Sequence, residues 1–171
     1  MAWSQFQNES ISKELFIKWI NQGFFKNGIG VITGKIWRGK HVGKNLTAVD
    51  LDNRLAIDEF SNHGGAKVRW QDITFTETRD GKDKLHLYFI TYEQIPDKQV
   101  DNAPEMIDKK DANLVPSIEV KGSRKKLIYP TPDRGYHPLS PIEIVDFTRM
   151  QIDKIRQTVI SRTQNKGLLI N

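Results

Sequence analysis

The chain has no cysteine among its 171 residues. Disulfides and thiolate zinc sites are therefore excluded, so any metal must be held by carboxylates, histidines or carbonyl groups. No apolar run approaches the ~20 residues needed to cross a bilayer, which excludes a membrane-spanning helix from the expectation. The opening Met-Ala-Trp-Ser-Gln lacks the charged-then-apolar pattern of a secretory signal, and a cytoplasmic location without a membrane partner is expected. Internal repeats and low-complexity tracts are absent. Charge of one sign is only slightly in excess: 26 Lys plus Arg against 21 Asp plus Glu, a net +5 that mildly favours polyanions. Hydrophobic residues at 37% and charged residues at 27% exclude wholesale disorder, and the length suits one domain, residues 1–171, with a true core.

Ile11, Leu15, Phe16, Trp19 and Ile20 recur at helical spacing before Gly23. They predict a helix over about 10–22 whose apolar stripe packs in the core. A sheet core is expected over about 29–132. Within it, Ile29–Thr33 and Leu46–Leu51 read as strands joined by a basic, glycine-containing loop, and Arg54–Phe60 reads as a short helix. Val68–Thr78 and Leu85–Thr91 read as strands of a hairpin turning at Arg79-Asp80-Gly81. The polar, proline-interrupted stretch from Pro96 to Val115 predicts an extended loop or a poorly ordered insertion, after which Ser117–Lys121 and Lys126–Tyr129 resume strand character. Ser140-Pro141-Ile142-Glu143 carries a cap serine, a first-turn proline and a capping-box glutamate, followed by Val145, Ile152, Ile155 and Val159 at helical spacing. It predicts a C-terminal helix over about 141–161. Strands mixed with flanking helices imply an α/β or α+β domain.

Three short segments could carry chemistry. Val49-Asp50-Leu51-Asp52 puts two carboxylates two residues apart, so strand alternation sends both to one face. Held close, they repel and invite a divalent cation; turned into water at a strand end, they need none. In Lys84-Leu85-His86-Leu87-Tyr88-Phe89 the alternation sets His86 with Lys84 and Tyr88, opposite Leu85, Leu87 and Phe89. An imidazole there can donate to a phosphate or sugar, or be a satisfied structural histidine. In Ile118-Glu119-Val120-Lys121 the acid and base share a face, as a surface ion pair or as a metal ligand beside a phosphate anchor. Basic residues accompany the acids: Lys35, Arg38, Lys40 and Lys44 precede the aspartate pair, and Arg124, Lys125 and Lys126 follow Glu119.

The order of these segments resembles the three-motif pattern of the archaeo-eukaryotic primase superfamily, in particular the primase-polymerase group found beside replicative helicases and on mobile elements. The resemblance runs from about Gly30 to Pro132 and rests on Val49-Asp50-Leu51-Asp52, His86, Ile118-Glu119-Val120 before Gly122, and the turn Tyr129-Pro130-Thr131-Pro132. It departs from that pattern at Lys84, where the family usually has a serine. The resemblance implies a catalytic core with an RRM-like mixed or antiparallel sheet flanked by helices, and a template-dependent DNA primase or polymerase. Asp50, Asp52 and Glu119 would be catalytic and would hold two Mg²⁺ or Mn²⁺ ions. His86, Lys84, Lys121 and Arg124 would bind the nucleoside triphosphate. Lys35, Arg38, Lys40 and Lys44 would meet DNA template and primer. A helicase is the implied partner, either separate or as a domain beyond this chain, in nucleoid or mobile-element replication.

Two other functions fit parts of the same residues. Glu119-x-Lys121 with an upstream acid satisfies the pattern of restriction-endonuclease-like nucleases, in which lysine activates water beside a carboxylate-bound metal. Against it, 67 positions separate Asp52 from Glu119, a long gap for ligands expected on neighbouring strands. A non-catalytic nucleic-acid-binding sheet would need exposed strand aromatics to stack on bases, and Tyr88 is the one that stands out.

Overall fold

In a computed structural model of the chain, the structure describes residues 6, 9–26, 30–63, 66–100, 117–123, 127–128, 135–139 and 143–146. Helix α1 (Lys13–Asn21) starts at a cap: Leu15 N–H donates to the Ser12 hydroxyl at 3.1 Å. Gly23, with φ of 70°, lets the chain turn after it. The expected core packing of α1 is not what forms. Trp19 is buried, edge-on to Phe6 and Phe25, whereas Phe16, Ile17 and Ile20 are 45%, 44% and 51% exposed.

The strands are β1 (Val31–Ile32), β2 (Gly34–Lys35), β3 (Asn45–Leu51), β4 (Asn62–His63), β5 (Ala66–Lys67), β6 (Thr76–Arg79), β7 (Lys82–Thr91), β8 (Lys98–Val100), β9 (Ile118–Lys121), β10 (Leu127–Ile128), β11 (Tyr136–Pro138) and β12 (Val145–Asp146). Helix α2 (Arg54–Ser61) follows β3, capped by Asn53, whose side-chain Oδ1 accepts from Ala56 N–H at 2.9 Å. The main sheet runs β11-β6-β7-β3-β9-β8, with β2 beside β3 and β12 beside β7. All its pairings are antiparallel except β12 with β7. The architecture is α+β, an antiparallel sheet with helices flanking it.

Alternation gives this sheet two unlike faces. Val49 and Leu51 of β3, Leu87 and Phe89 of β7, and Ile118 and Val120 of β9 bury one face against Ala56 and Phe60 of α2 and against Trp70. The opposite face is apolar near Ala48 and Tyr88, where Val31, Leu46, Phe75 and Ile144 pack. Farther along the same face it becomes charged.

Three expectations change. The strand predicted over Val68–Thr78 forms only from Thr76, because Trp70–Asp72 makes a 3-10 turn that drops the Trp70 indole between Phe60 and Phe89. The loop predicted over Pro96–Val115 contains β8, which pairs with β9; residues 101–116 lie outside the described residues. The helix predicted over 141–161 is not helical where it is described: Val145–Asp146 pairs in parallel with Phe89–Ile90. Register pairing of β6 with β7 reaches no farther than Leu87; Tyr88 N–H still donates to the Phe75 carbonyl, and β12 lies beside β7 from Phe89 on. Residues 147–161 lie outside the described residues.

Candidate active site

The central pairings bring the three segments together. Asp50 on β3 stands opposite His86 on β7 and, on its other side, opposite Glu119 on β9. Glu77 on β6 stands opposite His86 and extends the row. Asp50, His86 and Glu119 alternate with core residues and Glu77 is in register with His86, so all four share the face away from α2. The long gap in sequence does not keep Asp50 and Glu119 apart: they are direct cross-strand neighbours, which removes the objection to a nuclease raised by spacing.

Charges in this row compensate one another closely. The Lys121 ammonium lies 2.6 Å from Asp50 Oδ2 and 2.8 Å from Glu119 Oε2. His86 Nε2 lies 3.3 Å from Asp50 Oδ1, and its Nδ1 lies 3.8 Å from Glu77 Oε2. The Tyr88 hydroxyl donates to Glu77 Oε2 at 2.8 Å. Asp52, just past β3, is paired with Lys84. Asp50 Oδ1 and His86 Nδ1 are buried without a hydrogen-bond partner, each held by an ion-pair contact, at 3.3 Å and 3.8 Å respectively.

Burial sets the electrostatics, because opposite charges at these distances outweigh lost hydration. Burial pushes the Asp50 carboxyl up, but contact with His86, its charge and the Lys121 charge together hold it at about 2. Burial pushes the His86 imidazole down, yet Asp50 and Glu77 raise it to about 9, so it is an imidazolium at neutral pH. Lys121 is raised in spite of burial, first by Asp50 and then by Glu119. Tyr88 is raised by burial and by the Glu77 charge, so its hydroxyl stays a donor.

His86 is only 4% exposed. The Tyr136 ring of β11 stacks on it at 4.7 Å and 21°, and the Arg79 guanidinium lies over that ring at 5.6 Å. The imidazole thus faces Asp50 and Glu77 rather than solvent. Tyr88 is 3% exposed and bonded to Glu77, so it offers no stacking surface for a base. Reading the strands one at a time missed Glu77 and Tyr136. Their signals were faint: an acid at the alternate position of a predicted strand, and an aromatic two residues before Pro138.

The remaining predicted residues lie elsewhere. Lys35 pairs in register with Asn45, about 17 Å along β3 from Asp50 at ~3.3 Å per residue. Its ammonium sits over the Trp37 ring, and Lys44 sits over Tyr92, each at 4.7 Å. Lys40 pairs with Glu143 at 3.0 Å, and Arg38 borders a cavity with Trp37 and Lys35. Arg124 lies outside the described residues. A second cavity of about 290 Å³ opens beside Lys84, walled by Arg54, Asp58, Lys67, Arg69 and Lys82.

Gly122, directly after the Glu119-Val120-Lys121 strand, has a packing role. A Cβ there would meet the Ile95 carbonyl oxygen at 2.1 Å. Asp97 fastens the same turn, accepting from the Gly122 and Ser123 N–H groups at 2.9 Å. The Ile95–Asp97 loop therefore presses against the end of β9.

Among the described residues no trio of His, Asp and Glu converges as a ready metal cage. The donor chemistry nevertheless suits a hard cation: carboxylates on adjacent strands already close on one positive charge, the Lys121 ammonium, and Asp50 Oδ1 has lone pairs unspent. No protein-family model and no curated protein matches the chain.

Proposed function

We propose that the protein is a metal-dependent nucleotidyltransferase of the primase-polymerase kind, adding nucleotides to a 3′-hydroxyl on a DNA template. The observation that carries this reading is the register that sets Asp50 between His86 and Glu119 on one sheet face. The strand order β6-β7-β3-β9, with α2 between β3 and β6, adds support, since an antiparallel RRM-like sheet is what the resemblance implies.

Asp50, Asp52 and Glu119 are the residues to hold Mg²⁺ or Mn²⁺. Such ions, when bound, supply charge stabilisation of the entering and leaving oxygens in phosphoryl transfer. His86, buried under Tyr136 and fixed between two carboxylates, acts by orienting Asp50. Lys84 and Lys121 answer the charge of the triphosphate as point cations. The hairpin bearing Lys35, Arg38, Lys40 and Lys44 is the surface for template phosphates.

One observation favours a second reading. Lys121 touches both Asp50 and Glu119, which is the disposition an E-x-K nuclease needs for a lysine beside its metal. Incubation with a labelled primer–template, Mn²⁺ and nucleoside triphosphates separates the two. Product longer than the primer supports the polymerase, and shorter product transfers the site to the nuclease. Unchanged primer with folded protein and Mn²⁺ would sink both.

A further inference from the structure

Lys121 is the residue on which the charged row closes. Its ammonium spans two strands, its side chain is 12% exposed, and it contacts both carboxylates that a divalent cation would need. The site is nonetheless not saturated. Asp50 Oδ1 and His86 Nδ1 remain buried without hydrogen-bond partners, and His86 is nineteen-twentieths buried with its Nε2 turned on that same Asp50 oxygen. A monovalent ammonium takes one oxygen of Asp50 and leaves the other to the His86 ion pair at 3.3 Å without a hydrogen bond, whereas a divalent cation brings a second charge and more coordination positions.

We propose that Lys121 is an exchangeable counter-cation. In the metal-free protein its ammonium closes the Asp50–Glu119 pair; a divalent cation displaces it; and the released ammonium then anchors the phosphates of an incoming polyphosphate. The inference rests on the reading that these carboxylates take a metal, and it holds for the polymerase and the nuclease alike. Its consequence is coupling: the cation opens the phosphate anchor, so metal and polyphosphate bind cooperatively. The exchange is also chemically economical, because the row never exposes two bare carboxylates to one another.

Removal of the internal competitor should tighten metal binding, since the observed affinity is reduced by the fraction of molecules in which the lysine has moved away. Titration of MnCl2 alone is expected to show Lys121→Met binding Mn²⁺ about tenfold more tightly than wild type, with Lys121→Arg no tighter than wild type. With Mn²⁺ present, Lys121→Met should lose about tenfold in affinity for inorganic triphosphate, having lost the anchor. A second measurement needs no variant. Acylation of the wild-type protein by an N-hydroxysuccinimide ester, read by mass spectrometry, should label Lys121 several-fold faster with Mg²⁺ than with chelator, while Lys40, 73% exposed, stays constant as the internal reference.

Mn²⁺ affinity unchanged or weakened in Lys121→Met, together with flat Lys121 labelling, overturns the exchange. If wild type then still binds Mn²⁺ and extends a primer, the proposed function survives that loss. Wild type that binds no Mn²⁺ overturns both. Should Lys121→Met fail to fold, the labelling of the wild-type protein decides alone.

Discussion

The charged row across β6, β7, β3 and β9 and the basic hairpin before β3 hold similar residues in opposite circumstances. In the row, Asp50 and Lys121 meet with side chains 13% and 12% exposed. At the hairpin, Lys40 and Glu143 meet at a comparable distance with side chains 73% and 84% exposed. Water screens the second pair and leaves it nearly without weight, whereas the first loses hydration on both sides and depends on each partner being present. Burial, more than the identity of the charges, decides which lysine matters to the fold.

The largest break in that contrast is Asp50→Ala. Because Asp50 balances both His86 and Lys121, its loss leaves each buried cation with one carboxylate in place of two and should cost on the order of 3–5 kcal/mol in denaturant unfolding, as well as abolishing nucleotide addition. Asp52→Ala separates the two effects. Its pair with Lys84 is about one-third exposed, so nucleotide addition should vanish from a protein of near wild-type Tm. Equal destabilisation by the two substitutions would contradict the placement of Asp50 as the hub.

Next in size is Gly122→Ala, which forces a methyl group to 2.1 Å from the Ile95 carbonyl oxygen. A backbone obstacle cannot rotate away, so a loss of roughly 1–3 kcal/mol is expected by chemical denaturation. A neutral result would mean that the Ile95 loop yields easily.

Proton linkage sharpens the comparison. His86 is raised in the folded state to about 9, so its contribution to stability is complete below about 6.5 and is lost as pH rises through 9. Asp50 is lowered to about 2, so its contribution is present above about 3.8 and is lost as pH falls through 2. With chelator present, Tm should therefore decline between pH 6.5 and 9, and His86→Gln should flatten that decline. The smallest effect belongs to the hairpin: Lys40→Ala should move Tm by less than about 2 °C at any pH in this range, measured by thermal melt.

How much of this was legible beforehand differs residue by residue. The Arg79-Asp80-Gly81 turn and the sorting of Leu85, Leu87 and Phe89 from His86 are local matters of turn-forming residues and strand period, and the structure has them where the pattern puts them. The Ser12 and Asn53 caps came to light only in the structure. The stripe of α1 misled because helical spacing reports a face, not what covers it; the described contacts bury Trp19 and leave Phe16 and Ile20 outward. Val145 misled because a capping box competes with an open strand edge, and in the described residues the edge of β7 wins.

The amino-acid sequence by itself determined which side chains share a face of each strand, for that depends only on a backbone that alternates every residue. Tertiary structure alone decided that β9 lies against β3, that Glu77 and Tyr136 close around His86, and that one lysine joins Asp50 to Glu119. Strand neighbours are chosen by burying the whole Val49–Leu87–Val120 face at once, and no short window of residues contains that sum.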